Sequence, residues 1–408
     1  MGLGWFPAAR YRAPVPTLPP DPFAPARLGP LTLRNRIIKS ATYENMARRG
    51  LVTDQLIDFH VRQAAGGVGM TTVAYCAVSR EGRTDGRQVW WRPEALPGLR
   101  ALTGAVHAAG AAISAQIGHS GPVGNERATG GPALAPGRYF SSQSFRVARP
   151  ATREDLARVI QQHGEAATMA IEAGFDAVEV HLGHNYLASS FLSPRLNKRG
   201  DEYGGSLENR ARLALAVTQA VRDAAGDKIA ILAKLNMDDG VPGGFGLAEA
   251  ITVAQWLERA GSIDALEMTG GSSLLNPMYL FKGDAPVKEF AAAMPPPLRL
   301  GVRLFGRRLL RSYPYTDGYF LADAGKVRAA VRLPMVALGG ITSRPVIERA
   351  MAAGFDFVAM GRALLMEPDL VTRMAADPAT RSACTHCNKC MATIYSRGGT
   401  RCALLDEG

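Results

Sequence analysis

The chain has 408 residues, 47% of them hydrophobic, and a formal net charge of +11. That length can bury a large core, and no stretch of about eighteen apolar residues exists to cross a membrane. Residues 1–30 lack an apolar h-region and a cleavage site, so no secretory signal is read. A cytoplasmic, reducing compartment is therefore expected, which disfavours structural disulfides. The positive charge favours anionic ligands, phosphates above all. The arginines are scattered and no nucleic-acid motif appears, so most of the charge reads as solvated surface and no nucleic-acid partner is expected.

Residues 1–27 are proline-rich and read as an extended arm. From 28 to 375, short apolar runs alternate with helical patterns. Strands are predicted at 36–41, 70–74, 111–117, 177–181, 229–235, 265–269, 335–338 and 357–360, with helices at 153–173, 209–225, 247–260, 322–331 and 345–353. Eight strands in βα alternation, with no break in composition, predict an α/β fold of the (β/α)8 (TIM) barrel type. A doubly wound sheet is the runner-up, but no G-x-G-x-x-G turn follows the first strand. Two βα connections, 118–151 and 270–321, are long. Structureless loops of that length are rare unless functional, and in a barrel both stand over the catalytic face. The second contains GVRLFGRRLLRSY, where Val302, Leu304, Phe305, Leu309 and Leu310 mix with Arg303, Arg307, Arg308 and Arg311. An amphipathic helix packed on the barrel rim is the plain reading; a lid and a patch touching membrane or a partner are the others. Residues 376–408 form a cysteine-rich tail.

The stretch GFDAVEVHLGHNYLASSFLSPRLNKRGDEYGGSLENRARL, residues 174–213, starts on a strand and ends on a helix. Its polar residues emerge at the catalytic rim. His181 and His184 can together donate hydrogen bonds to an oxygen gaining negative charge, and Tyr186 can supply a proton next to it. One histidine alone would read as structural. Two histidines and a tyrosine at a strand exit read as function.

This stretch closely resembles the old yellow enzymes, FMN-dependent oxidoreductases with a nicotinamide donor. The likeness spans roughly 22–375, with further matches at LRNRIIKSAT, AAGGVGMTTVAYCAV, AQIGHSG, ALGGI and VAMGRALL. The resemblance implies that His181 and His184 hold the substrate's activating group and that Tyr186 protonates. It implies flavin contacts from Ser40, Ala41, Thr42, Ala74 and Gln116, the last on the pyrimidine, and a phosphate site at Gly339, Gly340, Gly361 and Arg362. Glycines let backbone N–H groups approach an anion, and a cation completes neutralisation. Lys234 stands where the family usually has an arginine near flavin N1, offering a point charge without the bidentate fork. Tyr43 either approaches the flavin or turns away, and Asn185, replacing the usual glycine, is expected to shift Tyr186 slightly. The implied activity is NADH- or NADPH-driven reduction of an enone-like alkene or similar electrophile, with that small molecule and NAD(P)H as partners and room for homo-oligomerisation. Intact catalytic residues argue against a non-catalytic scaffold.

Five cysteines are present. Cys384, Cys387, Cys390 and Cys402 follow C-x2-C-x2-C-x11-C, a spacing resembling the cluster loop of two larger relatives, 2,4-dienoyl-CoA reductase and trimethylamine dehydrogenase. The resemblance implies a [4Fe-4S] cluster. Tetrahedral zinc and an empty, reduced set are the alternatives. His386 reads as a surface residue. Six residues follow Cys402, so a cluster is expected to serve either a separate redox partner protein or structure alone. That leaves a second functional reading, in which electrons leave the FMN through the cluster.

Overall fold

Eight parallel strands close into one barrel in the computed structural model, which describes residues 19–141, 146–294, 296–396 and 398–406. They are β1 (Ile37–Lys39), β2 (Met70–Ala77), β3 (Ala112–Gly118), β4 (Ala177–Leu182), β5 (Ala230–Asn236), β6 (Ala265–Thr269), β7 (Met335–Leu338) and β8 (Phe357–Met360). β8 pairs with β1, closing the ring. Both faces of these strands are covered, which is why they read as near-continuous apolar runs rather than alternating ones. β2 is buried at every position.

Helices α1 (Asp54–Ala65), α2 (Leu96–Ala108), α3 (Arg153–Glu172), α4 (Leu207–Ala225) and α5 (Leu247–Ala260) follow the first five strands. Side chains that satisfy free backbone N–H groups fix their starts. Thr53 caps α1, Ser206 caps α4, and Thr152 with Asp155 forms a reciprocal capping box on α3. At the opposite end from the catalytic rim, a hairpin of Ala26–Leu28 and Leu31–Leu33 drives Leu28 and Leu33 against Ile38, Met70, Ala177 and Phe357. It plugs the barrel floor and crosses the 27/28 position where the arm was expected to end. Residues 1–18 of that arm lie outside the described residues.

Both long connections carry structure of their own. The first holds a small sheet of Leu134–Ala135, Tyr139–Ser141 and Arg146–Pro150. The second holds α6 (Pro296–Leu309), the predicted arginine-rich helix. Gly306 faces inward, where a Cβ would meet Val287 Cγ1 at 2.7 Å, and Leu310 just beyond the helix is buried. Leu300, Leu304 and Phe305 face solvent, and the side chains of Arg308 and Leu309 are outside the described set. α7 (Leu321–Arg328) and α8 (Arg344–Ala352) complete the ring, and α9 (Arg362–Met366) follows β8.

Candidate active site

His181 stands near the end of β4, and the chain then turns sharply. His184 and Asn185 have φ of 59° and 58°, a left-handed pair that asparagine tolerates better than most residues. Asn185 is buried and donates to Asp239 Oδ1 at 3.1 Å, while its backbone N–H donates to Ser189 Oγ at 2.9 Å. So the residue replacing the usual glycine anchors the turn. Tyr186 then leads into the short helix Leu187–Leu192.

These turns bring three of the predicted site side chains together. The His181 and His184 ring centroids are 5.1 Å apart, and His181 and Tyr186 are 4.5 Å apart. Tyr75 meets Tyr186 edge-on at 5.3 Å. His184 Nε2 lies 2.9 Å from Thr269 Oγ1, whereas His181 Nδ1 is buried with no hydrogen-bond partner. Burial, the neighbouring His184 and Lys234 keep His181 well below the usual imidazole range. Burial, then Lys234, takes His184 down to about 3. Burial raises the Tyr186 hydroxyl well above the usual phenol range. Both imidazoles are thus neutral and the phenol protonated across the physiological range. Substrate reduction is expected to show no ionisation of this pair between about pH 5 and 8, checked by a pH–rate profile and by imidazole NMR shifts. Their depressed values also mean that stability present above the ordinary imidazole value near 6.5 is lost as pH falls below it.

Beneath them lies a buried charge cluster. Lys234 Nζ is 2.9 Å from Glu179 Oε1, 3.0 Å from Glu267 Oε1 and 3.4 Å from Ser40 Oγ. An ammonium has three donors, and here three acceptors face them. Burial alone would depress Lys234, but the two carboxylates outweigh it and raise it. Burial and the adjacent Glu179 hold Glu267 well above the carboxylate range. Gln116 Nε2 donates to Glu179 Oε1 at 2.6 Å, and Ser40 Oγ to Glu267 Oε1 at 3.2 Å. Ala41 and Ala74 pack with Tyr75 and Tyr186, but the Ala74 N–H is given to Glu44, which also sits 3.5 Å from Lys39 and 3.4 Å from His60. Thr42 Oγ1 donates to Ser40 O and is the atom nearest to a Cβ built at Gly361, at 3.9 Å. Glu179 and Glu267 escaped the sequence reading. Glu179 was findable, because two-residue periodicity puts it on the same face as His181.

At the other end of this neighbourhood, Gly339 and Gly340 have φ of 95° and 73°. A Cβ on Gly339 would come within 2.7 Å of Phe320 and Tyr319, so only glycine fits. Arg362 donates to the Lys282 and Asn388 carbonyl oxygens, and among the described residues no carboxylate pairs with it. A half-buried cation offered only neutral acceptors fits a phosphate.

The four tail cysteines line one cavity together with Arg362 and Asn388. All are free thiols, as is Cys76, which is buried in the barrel core. Among the described residues no three His, Cys, Asp or Glu side chains converge closely enough to ligate a single ion. His386 is not a bare surface residue: its ring stacks on Tyr315 at 3.4 Å and 10°. Asn388 Nδ2 donates to Phe281 O at 3.1 Å and Asp284 O at 2.9 Å, pinning the cysteine loop to the 270–321 connection. The tail then crosses to the first βα loop. Asn45 donates to Ile394 O, the Thr400 N–H to Glu44 O at 2.8 Å, and Gln55 Nε2 to Gly398 O at 2.8 Å. Tyr43, on that loop, donates to Asp85 and lies 3.2 Å from Asn45 Oδ1. Its hydroxyl is thus engaged at the mouth of the site.

The profile of the NADH:flavin oxidoreductase / NADH oxidase family matches residues 21–269. The chain belongs to that family. It is an FMN-dependent NAD(P)H oxidoreductase of the old yellow enzyme type. It is 50% identical over 394 residues to the 4,4'-dithiodibutanoate disulfide reductase of Rhodococcus erythropolis, covering 97% of this chain and 96% of that protein. It is 32% identical over 388 residues to a metal reductase of Desulforamulus reducens, spanning 94% of this chain but 53% of the relative. A solved 2-naphthoyl-CoA reductase superposes with a TM-score of 0.75 at 27% identity, covering 87% of this chain and 52% of the other. Among the described residues no helix is long and apolar enough to cross a membrane.

Proposed function

We propose that the enzyme reduces a small electrophile held between the His181–His184 pair and Tyr186. The observation that carries this reading is the buried, unpartnered His181 Nδ1, beside a neutral His184 and a protonated Tyr186. A buried polar atom left unsatisfied costs about 1–3 kcal/mol, so a ligand atom is its natural partner. FMN supplies the hydride equivalent, taken from NAD(P)H and passed to the substrate. Gln116, with its N–H spent on Glu179, keeps a carbonyl oxygen for the flavin pyrimidine, near Ser40, Ala41, Thr42 and Ala74. Arg362 and the backbone at Gly339, Gly340 and Gly361 hold the phosphate. Lys234 would stand at the pyrimidine end, with its charge shared between Glu179 and Glu267.

Two electrophiles suit this arrangement. An enone takes hydride at one carbon, a proton from Tyr186 at the other, and hydrogen bonds from the histidine pair at oxygen. An organic disulfide, the substrate class in the name of the relative at 50% identity, takes two electrons and two protons: RSSR + NAD(P)H + H⁺ gives 2 RSH + NAD(P)⁺. Anaerobic stopped-flow separates the halves. NAD(P)H is expected to bleach the flavin, and 4,4'-dithiodibutanoate or cyclohexenone to restore its colour. Failure of both oxidants removes the proposal.

A cluster reading of the tail is favoured by one observation. Four thiols line a single cavity, at the C-x2-C-x2-C-x11-C spacing of the sequence. Anaerobically purified protein is then expected to carry about four iron atoms with matching sulfide, and Cys387→Ser to lose them. Stoichiometric zinc without iron would overturn the assignment. Such a cluster would give electrons a second exit toward a partner protein. The free thiols fit a reducing, cytoplasmic setting.

A further inference from the structure

The mouth of the site is built from two segments distant in sequence, the loop after β2 and the tail beyond the cysteines. The first reaches Tyr186 through Tyr75, whose ring meets Tyr186 edge-on at 5.3 Å and whose hydroxyl donates to Gly82 O on that loop. Asp85 is engaged: Tyr43 donates to its Oδ2, and the Arg87 backbone N–H to its Oδ1 at 2.7 Å. The Arg87 guanidinium is different. Its one hydrogen bond, from Nη1 to Ser396 O, is long at 3.5 Å, and no carboxylate lies within ion-pairing reach of it among the described residues.

The other cations named here are turned elsewhere. Lys234 faces two carboxylates, Lys39 faces Glu44, and the buried Arg83 donates to the carbonyls of Arg80 and Gly86 at 2.9 and 3.0 Å. Arg87 therefore keeps most of a five-donor planar fork unused, partly shielded from water, on the loop that packs over Tyr75. Such a fork matches a carboxylate, which it binds through two parallel charge-assisted bonds. Asp85 forms no ion pair with it, because its oxygens accept from the Tyr43 hydroxyl and the Arg87 backbone N–H.

We infer that Arg87 anchors a carboxylate carried by the substrate, so that the site selects acid-bearing electrophiles over neutral ones. This deepens the proposed reading and rests on it for the position of the reacting atoms. Arg87 makes the substrate class a carboxylated chain whose charged end stays at the mouth, against Ser396, while its reactive bond reaches His181 and Tyr186. The inference assigns a role to the tail as well: Ser396 positions the guanidinium that reads the substrate.

The test compares wild type with Arg87→Gln and Arg87→Lys. Binding is followed by perturbation of the flavin absorbance with sebacate, a non-reducible isostere of 4,4'-dithiodibutanoate, and with neutral 1,10-decanediol. Turnover is followed with 4,4'-dithiodibutanoate and its dimethyl ester. Arg87→Gln is expected to weaken sebacate binding roughly 10- to 100-fold, the range of a charge-assisted pair, and to lower the acid-over-ester preference in kcat/KM by a similar factor through KM. Arg87→Lys is expected to recover part of both. Equal losses on acid and neutral ligands would assign Arg87 a structural role and overturn the inference, as would wild type binding sebacate no better than the diol. Sebacate discrimination without turnover of either disulfide would sustain the carboxylate site and overturn the disulfide chemistry.

Discussion

Replacing Tyr186 with phenylalanine is expected to slow reduction of an enone by about 10²- to 10⁴-fold, the usual contribution of a positioned general acid. Flavin reduction by NAD(P)H should be spared, since no proton from Tyr186 enters that half. The ring is held by contacts that phenylalanine retains, against His181 at 4.5 Å and Tyr75 at 5.3 Å. Its hydroxyl has no hydrogen-bond partner among the described residues, so the fold loses nothing that burial supplied. The same variant separates the two candidate substrates. The carbon of an enone cannot accept hydride productively without a proton, whereas a thiolate leaving group, with an ordinary pKa near 8.5, departs without one. The loss on a disulfide should therefore be less than about tenfold. Rapid-reaction traces of both half-reactions check this, and equal slowing of the two would remove Tyr186 from its role.

Replacing Lys234 with methionine is expected to destabilise the protein by about 3–5 kcal/mol, the usual cost of stranding buried charge. Glu179 and Glu267 are almost fully buried and share that one ammonium. Without it, Glu267, already held above the carboxylate range, would be pushed further up. Stability is then fully present below the ordinary carboxylate pKa and is lost as pH rises through the raised folded value. The variant should accordingly be closest to wild type in mild acid and furthest from it at alkaline pH. Adding Glu179→Gln and Glu267→Gln should restore much of the loss by removing the stranded charges. Calorimetry across pH measures this, and a methionine variant within about 1 kcal/mol of wild type at pH 8 would show that Lys234 does not neutralise the pair.

Three of the predicted strands, 265–269, 335–338 and 357–360, coincide with β6, β7 and β8, and the others differ by a few residues at their ends. This legibility has a simple cause: strands buried on both faces advertise themselves as apolar runs between helical patterns. His181, His184 and Tyr186 were equally visible, because five residues of chain carry all three and the strand exit delivers them to one place. That Lys234 meets Glu179 and Glu267 was not visible. Whether a lysine in an apolar run meets a flavin or two glutamates depends on the neighbouring strands, and Ser40 and Glu267 are 227 positions apart. The tail's contacts with the barrel were not visible for the same reason. Asn45 holds Ile394 across 349 positions, and no local pattern announces that contact.

By itself, the sequence determined the barrel, through its eight apolar runs in βα alternation, and the clustering of three residues at the end of β4, through their spacing in one segment; the family likeness came from resemblance of motifs spread along the chain. Only the tertiary structure decided which charges are already neutralised and which remain available. Lys234 is spent, whereas among the described residues Arg362 at one end and Arg87 at the other hydrogen-bond to neutral acceptors and pair with no carboxylate. An ionisable group's role is set by its burial and by whatever charge stands within a few ångströms, and both are properties of chain closure rather than of neighbours in sequence.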